Sequence, residues 1–240
     1  MHQQGNSFLF GGKMTYQNIV TGRFLARPNR FIAHVEIDGN IEICHVKNTG
    51  RCKELLLPGV QVFLEKAPEG SARKTKYDLI AVYKGEMLVN MDSFAPNAAA
   101  GEYLRALYGK DALILPEKTF ENSRFDFYVE HGEEKIFVEV KGVTLEHEGI
   151  ARFPDAPTAR GSKHLTELCK AKRAGYGAMI LFVVQMQGMQ GFASNDETDP
   201  VFGRALRKAR AQGVEIRALS CKVTPDSMQI LGEESLPLLF

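Results

Sequence analysis

No stretch of this 240-residue chain stays apolar for longer than seven residues; the longest, AMILFVV, runs from Ala178 to Val184. A helix needs roughly 20 such residues to cross a bilayer, so no membrane span is expected. An excess of one charge is missing as well. Thirty Lys and Arg stand against 29 Asp and Glu, a formal net charge of +1, so any basic surface for a polyanion must come from local clustering. Cysteine is scarce: Cys44, Cys52, Cys169 and Cys221 are scattered, and no two form a CxxC. That pattern points to neither a thiolate zinc site nor a disulfide framework, and it fits reduced thiols in the cytoplasm. No internal repeat is visible. Gly11-Gly12-Lys13 fails as a phosphate loop, because Ser7 stands where its first glycine belongs and Met14 where Ser or Thr is needed. The polar stretch Met1 to Lys13 also lacks the basic start and apolar segment of a secretory signal. It is set aside as an extension, with Met14 as an alternative start.

What remains is ordinary globular usage, 44% hydrophobic and 25% charged, in a length that suits two domains. The first half reads as strands. Arg30–Ile37 and Ile41–Val46 flank Asp38-Gly39-Asn40, a strong hairpin signal. A loop with Asn48-Thr49-Gly50 leads to a short helical piece, Cys52–Leu57, stopped by Pro58-Gly59. Strands follow at 60–64, 79–83 and 87–90. Five short strands in so little chain predict a small barrel over residues 14–88. The second half, 89–240, changes character. The pattern predicts a helix over 97–107, then strands at 111–115, 124–130 and 135–143, the last two joined at His131-Gly132. Thr158 caps a helix to about Arg173, a buried strand occupies 178–185, and Asp199-Pro200 opens a helix to about Gln212. Strands at 214–223 and 228–231 finish an α/β unit with a mixed sheet, in a chain that is α+β overall.

The informative stretch is SRFDFYVEHGEEKIFVEVKGV, residues 123–143. Strand side chains alternate faces. Phe125, Phe127 and Val129 are expected on one face, and Arg124, Asp126 and Tyr128 on the other. In the partner strand Ile136, Val138 and Val140 oppose Glu139 and Lys141. The hairpin thus brings Asp126 beside Glu139 and Lys141. Neighbouring, partly buried carboxylates repel and resist ionisation, and a hard divalent cation relieves both effects; oxygen ligands select Mg²⁺ or Mn²⁺. Such a site suits phosphoryl chemistry, with the Lys141 ammonium stabilising charge on phosphate. Glu117 adds a third carboxylate. Taken alone, a Glu-x-Lys pair is more often a solvated, charge-paired face. The combination of an Asp, a hairpin turn and Glu-x-Lys gives the functional reading its weight.

That spacing is the signature of the PD-(D/E)xK nuclease-like superfamily. The segments RPNRFIAHVEIDG, HVKNTGRCKELLLPG, RKTKYDLIAV, SRFDF, VEVKGVTL and FPDAPTARGSKHLTEL resemble the sugar fermentation stimulation protein A family and extend from Arg27 to Leu168. The resemblance implies an N-terminal OB-like barrel followed by a PD-(D/E)xK domain, and it implies DNA binding. The superfamily implies a nuclease-type metal site in which Asp126, Glu139 and Lys141 take the motif positions and Glu117 the upstream glutamate. Arg124-Phe125 stands where the superfamily has proline, which the carboxylate role does not require.

Basic residues extend this reading. Arg160, Lys163, His164 and Glu167 share one side of the helix from Thr158; the first three face a phosphate backbone or, equally, solvent. In the barrel, Arg30, Asn48, Thr49, Arg51, Arg73, Lys74 and Lys76, with Asn29, Phe31 and Tyr77, line a nucleic-acid groove, although 11 basic against 8 acidic residues over 14–88 is a weak excess. Arg124 joins the same contact set. Gly203–Arg210 reads as a solvated basic face, and His147 and Glu148 as loop residues. The expectation is therefore a cytoplasmic DNA-binding protein with a Mg²⁺- or Mn²⁺-dependent phosphodiester-hydrolysing site. A non-catalytic DNA-binding regulator of sugar metabolism on the same fold stands as the rival, and a carbohydrate-binding barrel as a third class.

Overall fold

The computed structural model describes residues 14–48 and 50–240. Thr49 and the stretch Met1–Lys13 lie outside the described residues.

The barrel is built from β2 (Ile19–Asn29), β3 (Ile32–Ile37), β4 (Asn40–Val46), β5 (Gln61–Lys66) and β6 (Tyr77–Lys84), and β7 (Met87–Asn90) extends β6. Its order is β4-β3-β2-β5-β6, and parallel pairing of β4 with β6, from Cys44↔Tyr77 to Val46↔Leu79, closes the five strands into an OB-like barrel. Closure buries Phe24, Val35, Cys44, Val46, Val62, Leu64 and Leu79 in one interior. The longest strand, β2, escapes the sequence pattern because Gly22 and Pro28 interrupt its alternation. Gly22 has a packing cause: a Cβ there would lie 2.5 Å from Val35 Cγ1 and 3.0 Å from Glu36 O. The helical piece expected at Cys52–Leu57 is a turn instead. Leu55 N and Leu56 N both donate to Cys52 O, Cys52 itself has a left-handed φ of 45°, and Pro58 ends the segment before a second helical turn can form.

The remainder forms a seven-stranded sheet, β1-β16-β15-β13-β10-β9-β8. Here β1 is Met14–Thr15, β8 Leu113–Phe120, β9 Ser123–His131, β10 Glu134–Val143, β13 Gly177–Val184, β15 Glu215–Thr224 and β16 Ser227–Ile230. Residues 14–15 thus pair with this sheet rather than the barrel. Strands β10, β13 and β15 run parallel. Helix α1 (Ala95–Tyr108) covers one face, with Ala99, Tyr103 and Leu104 against Ile136, Val138 and Val140. Helices α2 (Ala159–Arg173) and α3 (Pro200–Ala211) cover the other, where Leu165, Leu168, Phe202 and Leu206 meet Phe137 and Phe182. Because β13 is covered on both sides, its apolar run is continuous. The cap of α2 is as the sequence predicts, Thr158 Oγ1 accepting from Gly161 N at 3.0 Å. Asp199 does two jobs: Oδ1 caps α3 through Phe202 N, and Oδ2 accepts from Thr158 N. A small third sheet of β11 (Leu145–His147), β12 (Ile150–Phe153) and β14 (Gly191–Ser194) has no clear sequence signal, since each strand has only three or four residues. Among the described residues no helix is long and apolar enough to cross a membrane.

Barrel and sheet meet at polar contacts, of which those of Gln185 and Asn90 are buried. Gln185 Nε2 donates to Asn90 O, Asn90 Oδ1 and Asp92 O at 3.0–3.1 Å, Asn90 N donates to Gln185 O, and Asn90 Nδ2 donates to Tyr16 Oη. Lys84 pairs with Glu146, and Arg51 N donates to Asp155 Oδ2 at 3.1 Å. Because Gln185 serves three acceptors without access to water, Gln185→Ala is expected to cost about 2 kcal/mol. The near-isosteric Gln185→Glu is expected to cost more, because it aims a carboxylate at three oxygens. Urea unfolding checks both, and wild-type midpoints for the pair would contradict this account of the junction.

Candidate active site

Strands β9 and β10 pair in register from His131↔Glu134 to Phe127↔Val138, and there the ladder ends. One step further, Asp126 faces the position of Glu139. Its carboxylate takes over where the backbone bonds stop: Oδ2 accepts from Val140 N at 2.8 Å, and Oδ1 accepts from Asn97 Nδ2 at 2.9 Å. Asn97 lies in the first turn of α1, so Asp126 is tied to β10 and to the covering helix together. The break also changes the face pattern. Phe127 and Val129 join the α1-side core. Phe125, expected beside them, packs on the other side, 5.5 Å from the Phe137 ring and 6.1 Å from the His164 ring between centroids. Strict alternation fails here because the two strands part at Asp126.

Glu139 is buried, 1% exposed, on the α2 side of β10. Its Oε1 accepts from Lys141 Nζ and from His164 Nδ1, while Oε2 is buried with no hydrogen-bond partner. Arg160 Nε lies 3.5 Å from His164 Nε2. A guanidinium only donates, so Nε2 is the acceptor and Nδ1 carries the proton given to Glu139. The two carboxyls titrate in opposite directions. Burial works against ionisation of Glu139, but the His164 hydrogen bond and Lys141 outweigh it and hold the group below its ordinary range. Burial and then the Glu139 charge push Asp126 above its ordinary value, against the opposing pull of Val140 N and Asn97.

The structure therefore gathers Lys141 and His164 on Glu139 Oε1, while Asp126, held by Val140 N and Asn97, feels the Glu139 charge across the end of the strand pair. Glu117 is not gathered there: with φ 56° it is exposed and pairs with Arg124 at 3.4 Å. Among the described residues no group of three or more His, Cys, Asp and Glu side chains is arranged to hold a metal ion; the acidic set at this point is the pair. Lys163 is exposed and donates to Asn122 O. In the barrel, Arg30 lies over the Phe31 ring at 4.7 Å, and Lys74 and Lys76 are exposed. Arg73 is engaged with Asp78, which also takes Lys47 and His45. Asn48 Oδ1 accepts from Gly50 N. A cavity of about 50 Å³ between Asn48, Asp155 and the Gly142–Leu145 segment joins this loop to the end of β10.

Two residues escaped the sequence reading. Asn97 carried only the weak signal of a polar residue after Pro96 at a helix start. Arg27 had none, being one more cation on a strand. Its guanidinium binds the carbonyls of Arg30, Asn48, Gly50 and Arg51 at 2.7–2.9 Å and so shapes the loop.

The opposed titrations make a signed prediction, checked by thermal melts in chelator from acid to neutral pH. A carboxyl raised in the fold costs stability as pH climbs through its raised value. Asp126→Asn should therefore melt above wild type at neutral pH, with the gap closing in acid. A depressed carboxyl stabilises above its unfolded value, and that contribution disappears as pH falls through the depressed one. Glu139→Gln, which strands the Lys141 ammonium, should lose about 3 kcal/mol at neutral pH and less in acid.

Comparison with known proteins places these features in context. The family pattern described as "SfsA N-terminal OB domain" matches residues 25–91, and that described as "Sugar fermentation stimulation protein RE domain" matches residues 94–227. A sugar fermentation stimulation protein homolog of Desulfitobacterium hafniense (strain DSM 10664 / DCB-2) is 59% identical over 217 residues, which span 90% of this chain and 95% of the relative. One from Clostridium beijerinckii (strain ATCC 51743 / NCIMB 8052) is 54% identical over 219 residues, 90% of this chain and 96% of the relative. Among solved structures, Pyrococcus furiosus SfsA in complex with Ca²⁺ superposes with a TM-score of 0.83 at 29% identity, covering 95% of this chain and 98% of that one. On these matches, the chain belongs to the sugar fermentation stimulation protein family, with its OB domain preceding its RE domain.

Proposed function

We propose that this protein binds DNA and hydrolyses phosphodiester bonds at a divalent-cation site made by Asp126 and Glu139. One observation carries the reading: a buried carboxylate oxygen, Glu139 Oε2, is left without a partner, and its charge helps to raise the pKa of a second carboxyl, Asp126. Such a pair suits a hard cation, Mg²⁺ or Mn²⁺, better than it suits solvent. The relative from Pyrococcus furiosus, described in complex with Ca²⁺, supports a divalent ion. When bound, the ion would polarise a phosphoryl oxygen and favour hydroxide.

The chain's own residues do the rest. Val140 N and Asn97 hold the Asp126 carboxylate at the strand gap. Lys141, 16% exposed at its side chain, brings positive charge to the same point, where it can stabilise charge developing on phosphate. Arg160 and Lys163 on α2, with Arg30, Asn48 and Arg51 on the barrel side, supply backbone contacts across the junction. A non-catalytic DNA-binding regulator of sugar metabolism is the second reading. It is favoured by the exposed Glu117, paired with Arg124, which leaves two carboxylates in place of three.

Supercoiled plasmid and short single strands, incubated with Mg²⁺ or Mn²⁺, separate the two readings. The expected result is cleavage by wild type that falls by about 100-fold or more in Asp126→Ala, while a mobility-shift assay in chelator shows DNA binding retained and weakening steeply with salt. Binding without cleavage by wild type under every condition favours the regulator, and the absence of both overturns the proposal.

A further inference from the structure

His164 shares a helix face with Arg160 and Lys163, which marks it as a phosphate contact by position. Its surroundings say otherwise. The ring is 5% exposed and edges against Phe125 with centroids 6.1 Å apart. Both its nitrogens are committed, Nδ1 to Glu139 Oε1 and Nε2 to Arg160 Nε. Little of the ring remains for DNA. Lys141 Nζ donates to the same Oε1, so both donors converge on one oxygen of Glu139.

Resting on the cation site proposed above, we infer that His164 is a positioning residue. Its Nδ1–H fixes the Glu139 carboxylate from behind and leaves Oε2 as the oxygen offered to the ion. Arg160 sets the tautomer by donating to Nε2, in the way that hydrogen-bond partners orient the ligands of metal sites. Lys141 alone does not do this job, because its flexible stem lets the ammonium follow the carboxylate, whereas the short side chain at position 164 presents its donor from the fixed backbone of α2.

The test is Mn²⁺ binding, measured calorimetrically on the full chain without DNA. Two substitutions separate the donor from the ring. His164→Phe keeps the ring and loses the donor; His164→Asn loses the ring but keeps an N–H on the same atom of the side chain. Melting curves establish that each folds. Loss of an orienting hydrogen bond commonly costs about 10- to 100-fold in metal affinity. That loss is expected for His164→Phe, with His164→Asn staying within about threefold of wild type. Unchanged affinity in His164→Phe, or an equal loss in both variants, overturns the inference while the cation site stands. Failure of wild type to bind Mn²⁺ at all overturns the site itself, and the inference with it. A second measurement needs no variant to fold: nitrogen-15 NMR of the metal-free wild type should find the His164 proton on Nδ1, and the Nε2–H tautomer would overturn the assignment.

Discussion

A buried carboxylate on β10, an inner strand of a doubly covered sheet, is the constraint on which the rest of this structure depends. Glu139 lies where α2 excludes water, and an ionised group there is tolerated only when it is paired and hydrogen-bonded. Lys141 and His164 meet that requirement at Oε1. Thr158 and Asp199 fix the first turn of α2, which sets the height at which His164 reaches β10.

The second constraint is the parting of β9 from β10. Were the ladder to continue past Phe127↔Val138, the backbone N–H of Val140 would not be free for a side chain. Because it stops, Asp126 replaces the missing bond and is drawn against a neighbour of like charge. The raised Asp126 and the depressed Glu139 are therefore products of one local geometry. The carboxyl with two cationic or N–H donors on one oxygen ionises readily, and the other bears the repulsion. Environments that push neighbouring carboxyls apart are typical of sites with chemistry to perform.

The barrel enters the same arrangement through its loop. Arg27 gathers four carbonyls, Arg51 N reaches Asp155, and Asp155 lies shortly before α2. A loop of one domain is thereby fixed against the segment that leads into the helix bearing His164. Gly142, directly after Lys141, has no room for a Cβ: one would lie 2.5 Å from Gln185 Oε1 and 2.7 Å from Pro96 Cγ. The residue after the motif lysine is thus a packing point between β10, β13 and α1.

Much of this was legible in the residues. The caps Thr158 and Asp199, the continuous apolar run of β13, the hairpin at Gly132 and the alternation of β10 are local properties, set by hydrogen-bonding groups and periodicity within a few positions of each other. They determined the helices, the mixed sheet and the facing of Glu139 with Lys141. The interrupted strand β2, the turn at Cys52 and the three short strands of the small sheet were not legible, because their stability comes from partners distant in sequence. The same holds within the site. That Asp126 and Glu139 lie close follows from spacing in the chain. That Asn97 holds one, that His164 holds the other, and that Glu117 turns away to Arg124 was decided only when α1, α2 and β8 packed around the strand pair. No local pattern records which side chain a distant helix will set against a buried charge.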